Sequence, residues 1–304
     1  MANRQDSNIK VFSTAGTEGK SLPLPDDFSP RPLGQEPPDP DQESPNEIDT
    51  GVAHSARIWN YWLGGKDNYA VDREIGDQFR EVFPDIVDIS RSSRAFLARA
   101  VQYLAGEAGI RQFLDIGTGL PTVDNTHEVA QRVAPDSRIV YVDNDPLVLA
   151  HARALLVSTP EGSTEYIDAD LRDPEKILVA AQNTLDLTQP VALMLMNILG
   201  HIPDAEVRPI VSHLLDALPL GSYLAIADGT NVIRGKEFDE AIAIWNDAGS
   251  TPYFLRKPEQ ISRFLDGLEL VEPGVVSCPL WRPEPGGLDI GHEVDEFCAV
   301  GRKP

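Results

Sequence analysis

The segment Phe113-Leu114-Asp115-Ile116-Gly117-Thr118-Gly119-Leu120-Pro121 carries an apolar run into a carboxylate and then into two glycines one residue apart. Glycine at such a turn lets the backbone fold tightly and approach a ligand closely. Alone, this G-x-G discriminates little, because similar loops occur in unrelated turns. The next apolar run, Ile139-Val140-Tyr141-Val142, ends in Asp143, 24 residues after Gly119. A carboxylate at the end of a second strand can accept both ribose hydroxyl protons of a nucleoside. Helix capping competes for the same acids, and Asp145 before Pro146 is assigned that duty, which leaves Asp143 for the ribose. A third run ends in Asp168-Ala169-Asp170-Leu171-Arg172-Asp173-Pro174. There Asp173 is the expected cap, and Asp170 can accept from an adenine amino group, although such an acid is more often a solvated loop residue.

These residues need elements to position them. From residue 111, short apolar strands alternate with helices. Strands are expected at Gln112–Ile116, Arg138–Asp143, Glu165–Ala169, Pro190–Asn197 and Ser222–Asp228. Helices are expected over 126–134, 146–158, 174–184, 204–218 and 236–248. That alternation argues for a parallel sheet covered on both faces, with all three acidic strand ends on its carboxyl edge, where open α/β sheets bind ligands. The last two expected strands, over 268–277 and 293–301, have no helix between them and should pair antiparallel. Residues 51–110 read as a helical cap: Ile58, Trp59 and Trp62 share a face before Gly64-Gly65. Val71, Ile75, Phe79 and Val82 recur at helical spacing, and a third pattern runs from Ala95 to Gly106.

The 304 residues hold 48 acidic and 26 basic side chains, a formal net charge of −22. Residues 1–50 carry 8 of the 25 prolines and net −6, with no periodic apolar run, and are expected to be an extended acidic tail. The cap is near neutral at −1, and residues 111–304 carry −15. Phosphate backbones are repelled by such a surface, so nucleic acid is not the expected partner. No run approaches the roughly 18 apolar residues that span a bilayer, and the polar stretch Met1–Val11 lacks the apolar core of a signal peptide. A cytoplasmic location without membrane attachment is therefore expected. Cys278 and Cys298 cannot make a disulfide framework or a four-cysteine zinc site, but should be reduced neighbours if the last strands pair.

The set Phe113–Gly119, Val140–Asp143 and Asp168–Leu171, followed by an antiparallel strand pair, resembles a class I S-adenosylmethionine-dependent methyltransferase. More narrowly, residues 48–304 resemble a bacterial family of S-adenosyl methyltransferases, through Arg57–Tyr69, Arg111–Thr122, Tyr141–Pro146 and Asp168–Pro174. The resemblance implies a Rossmann-like α/β fold. Its mostly parallel, seven-stranded sheet would have an antiparallel C-terminal strand and an N-terminal helical cap. It implies S-adenosylmethionine as methyl donor, S-adenosylhomocysteine as product and a small-molecule acceptor. Gly117 and Gly119 would pass under the donor's methionine and ribose, with Thr118 in the same loop and Asp115 near the amino group. Asp143 would hold the ribose hydroxyls, Asn144 would lie against the adenine, and Asp170 would take the adenine amino group beside the Leu171 backbone. Asn197 would lie near the sulfonium. The chain departs from many relatives in having Pro121 where a third glycine is common, which should delay the next helix to Asn125 or Thr126.

Acceptor chemistry is less legible. His201 is the candidate general base, weighed against a loop histidine without catalytic duty. His54 and His292 are lesser candidates, whereas His127 and His151 read as surface residues on helices. No histidine pair has metal-ligand spacing, so no metal is expected. Trp59, Tyr61 and Trp62 are read as core in preference to a pocket lining. The loop Gly64–Tyr69 is glycine-hinged and polar, which makes Asn68 and Tyr69 candidate lid residues. Arg94, with Arg91 and Arg99, is a candidate for meeting an anionic group on the acceptor side, against the commoner solvated face. Trp281 is expected to border the acceptor entrance. The competing readings are an NAD-dependent oxidoreductase, whose fingerprint wants glycine where Thr122 stands, and a non-catalytic donor-binding protein.

Overall fold

The computed structural model describes residues 49–155, 157–248, 251–283 and 291–304. The tail expected over residues 1–50 therefore lies outside the described residues up to position 48, as do residues 284–287 of the proline-rich stretch over 279–287 and Leu156 near the expected end of the helix over 146–158. Three helices come first: α1 (Ser55–Trp62), α2 (Ala70–Val82) and α3 (Ile86–Gly106). An alternating series follows: β1 (Gln112–Ile116), α4 (Thr126–Val133), β2 (Arg138–Asp143), α5 (Pro146–Leu155), β3 (Ser163–Asp168), α6 (Pro174–Ala181), β4 (Ala192–Met196), α7 (Asp204–Asp216), β5 (Tyr223–Gly229) and α8 (Gly235–Asp247). The chain closes with α9 (Pro258–Ser262), β6 (Glu269–Leu270), β7 (Val276–Ser277) and β8 (Glu296–Arg302).

The sheet runs β3-β2-β1-β4-β5-β8-β6, with β7 also paired to β8. Strands β1 to β5 are parallel, and β8 is antiparallel to β5, β6 and β7. The sheet therefore has eight strands where seven are expected, because the strand expected over 268–277 is split. Pro273 has no N–H to give a ladder, and Gly274 folds its own N–H back to the Val271 carbonyl at 2.9 Å. Strand order reverses beside β1 and β4, which makes their carboxyl ends the crevice in which such sheets take ligands.

Alternate residues of the buried strands feed two cores. Leu114, Ile116, Val140 and Leu193 pack with Ile177 of α6 and Val211 and Leu214 of α7. Phe113, Ile139, Tyr141 and Met194 face the other way, against Phe96, Ala100 and Leu104 of α3 and Val129 of α4. Helix α3 is thus a covering layer of the sheet as well as part of the N-terminal block. Helices α1 and α2 form a third core with α8, centred on Trp62, Phe79, Phe83, Phe238 and Trp245. Phe83 and Phe238 stack there with centroids 4.4 Å apart.

Three sequence expectations are corrected by this packing. Trp281 does not border an entrance: it is fully buried, edge-on to Phe96 and Tyr103. Arg99 does not offer a free charge, since Nε bonds the Trp281 carbonyl at 2.8 Å and Nη2 the Cys278 carbonyl at 2.7 Å. His127 is no surface residue: it is buried, with Nδ1 at 2.9 Å from the Tyr141 hydroxyl. His151 is half-buried, its Nδ1 at 3.0 Å from the Leu147 carbonyl. Trp62 lies in the core as expected, while Trp59 is only partly buried. Cys278 and Cys298 are buried, free neighbours across the β7–β8 pairing.

Candidate active site

The turn after β1 is built from two glycines that a side chain would not replace easily. Gly117 and Gly119 have φ of 76° and 67°, in the left-handed region. A Cβ on Gly117 would sit 2.7 Å from Ile198, whereas one on Gly119 would project into open space. Gly117 gives its N–H to the Val142 carbonyl at 2.8 Å, and Gly119 gives its own to Asp143 Oδ2 at 2.9 Å. Thr118 ties the turn down by donating Oγ1–H to the Asp115 carbonyl at 3.1 Å. Helix α4 begins at Thr126 behind the cap Asn125, as the Pro121 departure predicts.

Asp115 is buried at the end of β1 and accepts Thr126 Oγ1–H at 2.6 Å. Burial pushes its carboxyl up to about 6, against the Thr126 bond and the nearby Arg94 charge, which hold it down. Arg94 reaches in from α3, bonding the carbonyls of Val123 and Asp124 at 3.2 and 3.3 Å. Burial makes its guanidinium easier to discharge than usual, although Asp115 opposes that.

At the end of β2, Asp143 uses one lone pair of each oxygen on the backbone. Oδ2 accepts from Gly119 and Oδ1 accepts the Asp145 N–H at 2.9 Å. Each oxygen keeps acceptor capacity for one hydroxyl of a vicinal pair. Burial raises this carboxyl above its ordinary value, and the two N–H groups restrain the rise. Asp145 caps α5 through the Leu147 N–H at 2.8 Å, and its other oxygen stands 2.9 Å from Nδ1 of His54. Asn144 is exposed beside Asp170, with Nδ2 at 3.4 Å from Oδ2. Asp170 accepts the Arg172 N–H at 2.8 Å, and Leu171 is buried behind it.

Asn197, just after β4, adopts φ of 56°, a conformation asparagine tolerates better than most residues. Its Nδ2 donates to Ser93 Oγ and to Glu296 Oε1, both at 2.8 Å. His201 is buried, with Nδ1 3.0 Å from the Pro252 carbonyl and its ring edge-on to Tyr253. The carbonyl fixes the proton on Nδ1, so Nε2 is the acceptor nitrogen. Burial lowers its pKa to about 4, which keeps the ring neutral near pH 7.

Asp115, Gly117, Thr118, Gly119, Asp143, Asn144, Asp170, Leu171, Arg94, Asn197 and His201 all line one cavity on this sheet edge. Asn68 and Tyr69 stand outside its lining. Asn68 bonds Oδ1 of Asn60, which does line it, at 2.9 Å, and Tyr69 packs on Leu120, Leu147 and Val148. Sequence reasoning gave no role to Ser93 or Glu296. The available signal for Glu296 was an acid opening the apolar run Phe297-Cys298-Ala299-Val300. His54, a lesser candidate base, proves to be the N-cap of α1, on the cavity wall and 2.9 Å from Asp145. Among the described residues no cluster of histidine, cysteine and carboxylate side chains could hold a metal ion.

The cavity can therefore hold a nucleoside along three strand ends, with a carboxylate for its hydroxyls and a cation, Arg94, at the far side of the glycine turn. The open space beyond Gly119, where a side chain would intrude, fits a ligand passing over the turn. Comparison with known proteins gives the family. A family model described as S-adenosyl methyltransferase matches residues 41–304. The fold is similar to a DUF574 family protein from Streptomyces avermitilis MA-4680, at 47% identity and a TM-score of 0.82, covering 85% of this chain and 100% of that one. It is also similar to a candidate methyltransferase from Thermobifida fusca YX, at 40% identity and a TM-score of 0.78, covering 84% and 97% of the two chains. No curated protein matches.

Proposed function

The chain belongs to the S-adenosyl methyltransferase family, and from that premise we propose that it methylates a small-molecule acceptor inside the cavity described above. S-adenosylmethionine is its donor and S-adenosylhomocysteine the product. The donor supplies a methyl group on a positively charged sulfur, ready for in-line transfer, so positioning can provide much of the acceleration.

The observation that carries the reading is the joint placement of Gly119, Asp143 and Asp170 on one cavity wall, with Asp143 already bonded to the Gly119 N–H. In it Asp143 holds the ribose hydroxyls, Asn144 and Asp170 hold the adenine with the Leu171 backbone, and Asn197 lies by the sulfur. Asp115 takes the amino group. Arg94, expected on the acceptor side, is reassigned here to the donor's carboxylate, because it lies against Asp115 and the loop after Gly119. His201 is the acceptor-side group: neutral, with Nε2 free of the backbone bond that occupies Nδ1. It suits an acceptor that needs a hydrogen bond to orient it more than one that needs a strong base.

A cavity set into the sheet edge and a net charge of −22 support a small acceptor over nucleic acid. A cytoplasmic setting is part of the proposal. Calorimetric titration with S-adenosylmethionine, S-adenosylhomocysteine and NADH tests the donor assignment. Transfer of a labelled methyl group, screened over small acceptors and over DNA and RNA, tests the acceptor class. Binding of NADH alone, or labelling of nucleic acid alone, would reverse the corresponding half of the reading.

A further inference from the structure

We infer that Glu296, acting through Asn197, makes this site discriminate the cationic donor from its neutral thioether product. The inference rests on the donor reading above, which puts Asn197 beside the sulfur. Glu296 opens β8 opposite Gly229 of β5 and is fully buried. Its Oε1 accepts one hydrogen of Asn197 Nδ2 at 2.8 Å, and Ser93 Oγ accepts the other at 2.8 Å. With both amide hydrogens engaged, Asn197 Oδ1 is the atom left to meet a ligand, and it belongs to a side chain on the cavity wall. The second oxygen of Glu296, Oε2, is buried and takes no part in the Asn197 bond, while the Ser93 and Cys278 side chains also hydrogen-bond this carboxyl. A buried carboxyl thus stands one amide behind the proposed position of a permanent positive charge.

Its surroundings favour the neutral acid while the cavity holds no cation. Asp228 of β5 lies close by and opposes ionisation, the Tyr253 hydroxyl and the Cys298 thiol are also near, and a hydrogen bond from the Cys278 thiol works the other way. The cations in this region are engaged elsewhere: Arg99 of α3 on the Cys278 and Trp281 carbonyls, and Arg256 on Asp228 at 3.1 Å. Burial pushes the Glu296 carboxyl up to about 8, with the Asn197 and Ser93 bonds restraining it. A sulfonium arriving beside Asn197 lowers that value, so the acid releases a proton as the donor binds. By linkage, the ionised acid then favours the cationic ligand and not the thioether, and the product is held less firmly than the donor. Asp115, pushed up to about 6, Asp143, raised by burial, and the ligand's own amino group also face this cavity, so the Glu296 share must be isolated by difference.

The test is calorimetry of the whole protein with S-adenosylmethionine and with S-adenosylhomocysteine, in buffers of differing ionisation enthalpy, from about pH 6 to about pH 9. Wild type should release more protons with the donor than with the product near pH 8. Its preference for the donor should rise about tenfold across the range, the equivalent of one unit of pKa shift. In Glu296→Gln, which keeps an acceptor for Asn197 but no charge, that rise should vanish. An identical rise in wild type and variant, or none in wild type, overturns the inference. Should the variant fold poorly, infrared difference spectra of the wild type decide it: a protonated carboxyl band lost with the donor and kept with the product supports it, and a band indifferent to both overturns it. If neither ligand binds, the donor reading itself fails and this inference falls with it.

Discussion

The backbone N–H of Gly119 is held by Asp143 Oδ2 at 2.9 Å, which makes the turn after β1 and the end of β2 one hydrogen-bonded unit. A carboxylate with this duty shapes the turn and presents acceptors to it at once. Asp143→Asn should therefore hurt twice. One amide N–H, of Gly119 or Asp145, would face the new NH₂, and an unpaired buried donor costs about 1–3 kcal/mol. Donor affinity should fall about tenfold or more, equally for S-adenosylmethionine and methylthioadenosine, since both carry the ribose. Isothermal titration with the two ligands checks this, and an unchanged affinity for either would remove Asp143 from the ribose.

The two glycines should fail differently. In Gly117→Ala the new Cβ meets Ile198 at 2.7 Å in a backbone with φ of 76°, so the fold is strained from both sides. A loss of about 1–3 kcal/mol of stability is expected, visible in thermal melts. Gly119→Ala carries the φ cost with no clash, and its methyl group projects into the cavity. Its melting temperature should fall less than that of Gly117→Ala while its donor affinity falls more. Equal effects of the two variants on both quantities would contradict the geometry.

These two residues also show how far the sequence could be read. The order of strand ends, Asp115-Ile116-Gly117, then Asp143, then Asp170, is local: each feature lies within a few residues of an apolar run, and the parallel sheet brings them together. Asn197's partners are not local. Ser93 comes from α3 and Glu296 from the antiparallel β8, 104 and 99 residues away in the chain, and only tertiary packing sets them on one amide. Arg99 and Trp281 mislead for the same reason. A cationic helix face and a Trp in a proline-rich stretch look solvent-facing until the single 3₁₀ turn at Cys278–Leu280 folds against α3 and takes both inside. His54 was visible as a histidine but not as a partner of Asp145, because α1 meets the start of α5 only in the folded chain.

His201 and Asp115 should pull the pH dependence of stability in opposite directions. The His201 ring has a folded value of about 4 against about 6.5 in an unfolded chain, so between these values the unfolded state holds more protons. Its contribution is complete above about pH 6.5 and is lost as pH falls toward 4, up to about 3 kcal/mol. Asp115 lies at about 6 when folded, above its ordinary value, so the native state holds the extra proton and stability declines as pH rises through that window. His201→Gln should flatten the acid-side loss in thermal melts between about pH 4 and 7, and Asp115→Asn should steepen it. Parallel curves for wild type and His201→Gln would mean that the imidazole is not buried in its neutral form.

Arg94 separates the two ends of the donor. Its guanidinium bonds the Val123 and Asp124 carbonyls, lies against Asp115 and lines the cavity, so it is already oriented for an anion. A charge-assisted bond of this kind contributes about 1.5–3 kcal/mol, or roughly tenfold to a hundredfold in affinity. Arg94→Met keeps the packing of the stem and removes the charge. S-adenosylhomocysteine, which carries the carboxylate, should bind about tenfold to a hundredfold more weakly, while methylthioadenosine, which lacks it, should bind as before. The variant also takes away the cation that holds Asp115 down, so the Asp115 carboxyl should rise above 6 and the stability gained at acid pH should extend toward neutrality. A uniform loss for both ligands would point to collapse of the loop from Thr118 to Asn125, and Arg94 would then be a brace for that loop, not a contact to the donor.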